Sequence, residues 1–141
     1  MTLRASIVTA ILLAVLGVGP AGAASCRSDL LAAAKNPLSA PPVRLVYRIH
    51  AGPIRVGKPF AVEVIACLEP GNAAPVRLRV DARMPAHGHA MNYKPTMRTI
   101  GPGHARFEGL LFHMPGRWEI TFDVTTKSGR KRLAVPIDVT R

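Results

Sequence analysis

The chain has 141 residues, with 19 Lys and Arg against 8 Asp and Glu for a net charge of +11, a 48% hydrophobic share, 12 Gly and 13 Pro. That length is one domain, and so much Gly and Pro excludes a helical bundle in favour of strands and turns. No Gly-rich loop ending in Lys-Ser or Lys-Thr occurs, which excludes phosphate-loop nucleotide chemistry.

Arg4 precedes an apolar run through Ile7, Val8, residues 10–16 and Val18. The run is shorter than the roughly 20 residues a spanning helix needs. Gly17, Gly19 and Pro20 then break it, and Ala21-Gly22-Ala23 fits a small-residue cleavage site. Residues 1–24 are therefore expected to be a signal peptide, and the mature protein periplasmic. Export changes the meaning of the positive charge. An exported basic domain meets anionic membrane, cell-wall polymer or acidic protein rather than nucleic acid. The arginines are also dispersed along the chain, as on the solvent face of a basic sandwich.

Cys26 and Cys67 are the only two cysteines. In an oxidising compartment an even pair predicts a disulfide, worth about 3 kcal/mol on loop-entropy grounds. Two free thiols acting as copper ligands is the alternative. Ser25 to Lys35 has a cap in Ser28, an alanine-rich body and a stop at Asn36-Pro37, so residues 25–41 read as a short helix and linker.

From residue 42 the pattern alternates with the period of a half-buried strand. Val43, Leu45, Tyr47 and Ile49 share one face, and Phe60, Val62, Val64, Ala66 and Leu68 repeat it after the turn Val56-Gly57-Lys58-Pro59. Val76, Leu78, Val80 and Ala82 form a third such series. Residues 105–112 read as a fourth strand, Trp118, Ile120, Phe122 and Val124 as a fifth, and Leu133, Val135, Ile137 and Val139 as a sixth, entered through a Ser128-Gly129 hairpin. A short seventh is expected near residues 97–100. Pro136 lacks a backbone donor and belongs on an edge or at a bulge. The fold predicted for residues 42–141 is an all-β immunoglobulin-like or fibronectin III-like sandwich of about seven strands, with Trp118 as a core anchor.

One segment breaks the alternation, Met84-Pro85-Ala86-His87-Gly88-His89-Ala90-Met91-Asn92. Four of the five His and four of the five Met lie between Met84 and Met114. Thioether sulfur is a soft donor suited to Cu(I), and imidazole binds copper in either oxidation state, so the cluster points to a copper ion before zinc. His87 and His89, read as extended about Gly88, project to one side and can share an ion. Met84, Met91, His113 and Met114 are the candidates to complete the sphere, if both turns share one end of the sandwich. His50 and His104 have no neighbours of this kind in sequence and read as surface residues.

Three motifs, Val56-Gly57-Lys58-Pro59-Phe60, the Met84 to Asn92 segment, and Gly109-Leu110-Leu111-Phe112-His113-Met114-Pro115-Gly116-Arg117-Trp118, make residues 42–140 resemble the YtkA-like domain family, exported bacterial sandwich domains related to the FixH family. The resemblance implies the fold first and a link to copper handling or oxidase assembly second. The expected function is a non-enzymatic, periplasmic copper-binding or copper-delivery module whose partner is a copper-accepting envelope or membrane protein, with possible contact to an anionic membrane surface. The competing expectation is a non-catalytic interaction module that assists an envelope complex without metal. No Ser-His-Asp pattern and no cysteine beside a base supports an enzyme.

Overall fold

The computed structural model describes residues 37–69 and 77–141. They form strands β1 Leu38–Ala40, β2 Val43–His50, β3 Phe60–Leu68, β4 Arg77–Met84, β5 His89–Ala90, β6 Thr96–Gly101, β7 His104–Leu110, β8 Gly116–Thr126 and β9 Gly129–Val139. One sheet has the order β1-β2-β3-β7-β6 and the other β5-β4-β8-β9, with every pairing antiparallel. The expected all-β sandwich is the fold that forms. The predicted signal peptide, the helix from Ser25 to Lys35, Cys26 and Val76 lie outside the described residues.

Alternation decides which residues meet between the sheets. Val43 and Leu45 of β2, Phe60, Val62, Val64 and Ala66 of β3, and Ala105 and Phe107 of β7 line one wall of the core. Val80, Ala82 and Met84 of β4 face them together with Trp118, Ile120, Phe122 and Val124 of β8. Each large side chain so buried stabilises the fold by about 1.5–3 kcal/mol. Rings bridge the layers: Tyr47 lies 5.2 Å from Phe122, and Phe112 lies 4.8 Å from Trp118 and 5.2 Å from Phe60. Trp118 is fully buried, as an anchor between sheets must be.

Differences from the sequence expectation are local. Leu38–Ala40, read as linker, pairs with β2 as an edge strand. β7 ends at Leu110 rather than residue 112, because Gly109 turns to φ +81° and the register against β3 shifts between Phe60 and Ala61. β8 lies between two neighbours, so even its outward Thr121 and Asp123 are buried. Asp123 is held by Arg132 of β9 at 2.7 and 2.8 Å, a two-pronged contact that holds its carboxyl below the usual aspartate range against the opposing effect of burial. Pro136 sits on β9, an edge strand, where a missing backbone donor does least harm.

Candidate functional site

β4 delivers the chain to one end of the sandwich. Pro85 starts a 3-10 turn over Pro85–His87, and Gly88 closes it in the left-handed region at φ +63°, its N–H donating to the Pro85 carbonyl at 3.3 Å. A glycine is required at such an angle because a Cβ would crowd the following carbonyl. His89–Ala90 then folds back along β4, with His89 opposite Met84, and the Met91 N–H donates to the Ala82 carbonyl at 2.8 Å. His87 thus ends a turn and His89 opens the short strand β5, instead of both lying in one extended run as expected. Their rings nevertheless stay together, with centroids 6.0 Å apart.

The second contribution comes from the link between β7 and β8. Phe112 is buried in the core and anchors the link beside Trp118, whose indole Nε1–H donates to the Met114 carbonyl at 3.1 Å. That leaves His113 edge-on to Trp118 at 5.3 Å and stacked on His89 at 6.1 Å. The expectation that both turns occupy one end therefore holds, and three imidazoles from two connections form one cluster.

Within that cluster the Nδ1 of His113 is buried and has no hydrogen-bond partner, the one such side-chain atom among the described residues. An unpartnered buried polar atom costs about 1–3 kcal/mol, so it normally has a water, a ligand or a functional reason. The three rings are not drawn up around a common point. Among the described residues no group of three or more His, Cys, Asp or Glu is already arranged to hold a metal ion.

The methionines separate. Met84 and Met91 are 2% and 7% exposed and pack in the hydrophobic core rather than in an open ligand ring. Met114 is half-buried against the same core and is the thioether nearest in sequence to His113. Cys67 is buried on β3, while Cys26, its expected partner, lies outside the described residues.

A second cluster was not foreseen. His50 and His104, read as isolated surface residues, both donate from Nε2 to the Glu63 carboxylate, at 2.8 and 2.7 Å. The strand order β2-β3-β7 explains it: all three sit at outward positions of neighbouring strands. Burial pushes the Glu63 carboxyl up, but the two imidazole hydrogen bonds outweigh it and leave the group below its usual range. Only the pairing register could have revealed this, since the partners are 13 and 41 residues away.

No protein-family model and no curated protein matches the chain, so the YtkA-like resemblance gains no support from them. Among solved structures, a DUF4785 family protein from Legionella pneumophila is similar with a TM-score of 0.55 and 10% identity, over 70% of this chain and 29% of that one. This chain thus corresponds to under a third of the length of that protein. A DUF4426 family protein from Pseudomonas aeruginosa is similar with a TM-score of 0.51 and 9% identity, over 74% of this chain and 94% of that one. At such identities these likenesses establish a shared fold and nothing about activity.

Proposed function

We propose that the protein is an exported, periplasmic metal-binding module that carries or delivers copper, with His87, His89 and His113 as nitrogen ligands and Met114 as the accessible thioether. The observation that carries this reading is a row of three neighbouring imidazoles, His87 beside His89 and His89 beside His113, the last with a buried Nδ1 that has no hydrogen-bond partner among the described residues. Two imidazoles that share an ion at a metal–nitrogen distance of about 2.0–2.1 Å put their ring centroids roughly 4.5–6.3 Å apart, depending on the angle at the metal. The spacings of 6.0 and 6.1 Å lie at the wide end of that range. His87 and His89 are exposed and can turn to close the set. Methionine near the site and an oxidising compartment favour copper over zinc. The segments that resemble the YtkA-like family fall on this cluster, and a disulfide between Cys26 and Cys67 would keep the only thiols out of the ligand set. In this reading the module binds its ion and hands it to an envelope or membrane acceptor.

Calorimetric titration of the purified protein with copper tests this. One equivalent should bind, and replacing His87 and His89 by Ala should lower affinity by at least about a hundredfold, roughly 2.7 kcal/mol. Undiminished binding by the double variant would end the proposal. The second reading, an interaction module without metal, is favoured by ligand nitrogens that are not drawn together in advance. It predicts instead a membrane or envelope partner whose retention survives a chelator and is lost in the same variant.

A further inference from the structure

The other end of β4 has a feature that metal binding does not use. A groove of about 510 Å³ lies where the two sheets part, between the start of β4 and β6. It continues past Met97 into a recess of about 130 Å³ that reaches Gly103 and His104. The groove is lined by Arg77, Leu78, Arg79, Val80 and Asp81 in succession. Successive strand residues point to opposite faces, so a cavity on one face would touch every second residue. Contact with all five means that this cavity abuts the backbone edge of the strand.

That edge is open. β5 pairs with β4 only at Arg83 and Met84, and between Arg77 and Asp81 the side of β4 away from β8 pairs with no strand among the described residues. The peptide groups there that do not bond to β8 are available to a further strand. Inward-facing Leu78 and Val80 supply an apolar floor with Phe107 and with Met97, which is 49% exposed. The rim is basic. Arg77, Lys94 and Arg130 line it and make no ion pair among the described residues, whereas its two acids, Asp81 and Asp123, are already held by Arg79 and Arg132.

We infer that the β4 edge accepts an added strand from another polypeptide: an extended acidic segment of about five residues, roughly 17 Å long, with apolar side chains at alternate positions. Main-chain hydrogen bonds to Arg77–Asp81 give the register, the apolar side chains enter the groove, and the acidic ones meet Arg77, Lys94 and Arg130. A second copy of this chain fits less well, because antiparallel pairing of two β4 edges about their centre lays Arg79 against Arg79. This inference is independent of the metal site, since no imidazole of that cluster lines the groove.

Amide spectra and hydrogen exchange of the isotope-labelled full chain test it, with a blocked octapeptide of alternating Glu and Val as probe. Shifts should be confined to residues 77–81 and 94–97, and alternate amides of β4 should exchange at least about tenfold more slowly. Replacing Arg77 and Arg130 by Glu, both exposed, should weaken the peptide by at least about tenfold while leaving the rest of the spectrum unchanged. Several results would overturn the inference: no binding, equal binding of a Lys and Val peptide, equal binding of the probe interrupted by Pro, or β4 protection that rises with protein concentration in the absence of peptide.

Discussion

His113 and Glu63 show how much the surroundings of a single side chain decide. His113 Nδ1 is enclosed without a hydrogen-bond partner among the described residues, whereas His50 and His104 have spent their Nε2 donors on Glu63. The imidazoles thus divide into a set for which no acceptor appears among the described residues and a set committed to Glu63, a commitment that reading His50 and His104 as surface residues did not anticipate. The committed set has a testable consequence. Because the Glu63 carboxyl is held below its ordinary value of 4.5, it releases its proton more readily in the folded chain than in the unfolded one. Its stabilising effect is full above about pH 4.5 and is lost as pH falls through the lower folded value. Glu63→Gln should cost about 1–2 kcal/mol at neutral pH and flatten the acid limb of the stability profile, read by urea unfolding across pH. An unchanged acid limb would show that the two hydrogen bonds have no energetic role.

Among the elements, the long strands were legible because their side chains alternate over eight or more residues. β2, β3, β8 and β9 each present an apolar series on one face, and burial follows it along β9, whereas outward positions are buried as well at Val46 of β2, at Ala61, Ile65 and Cys67 of β3, and in the middle of β8. β1 and β5, with three and two residues, are too short for a period to register, and they exist because a neighbouring strand offers an edge. The candidate site was half legible for the same reason. The Met and His composition identified the segment, but alternation extended through Met84 also predicts that this residue points inward, which is where it lies. Gly116, which opens β8, joins the two halves of the site. It adopts φ +126°, and a Cβ there would stand 2.9 Å from the Met84 Cε. Gly116→Ala should therefore destabilise by about 1–2 kcal/mol, mostly from the backbone angle, since the methionine tip can move aside. The Met84 methyl resonance should shift with it. Wild-type stability and an unmoved methyl would contradict this account of the turn.

For the molecule as a whole, the antiparallel order of the sheets returns the link after β4 and the link after β7 to one end, and it leaves the opposite end of β4 uncovered. Neither result can be read from local pattern, because both depend on which strands become neighbours. The dispersed arginines are legible from the sequence only as charge. The fold is what makes some of them partners, as Arg132 is of Asp123, and leaves others, such as Arg77 and Arg130, along an open groove. The central claim is that one end of this sandwich is a copper site. Crystals of the copper-loaded protein, measured at the copper absorption edge, test it most directly. The account predicts a single anomalous peak within about 2.0–2.1 Å of nitrogens from His87, His89 and His113. A peak elsewhere on the protein, or no peak after stoichiometric loading, would contradict it.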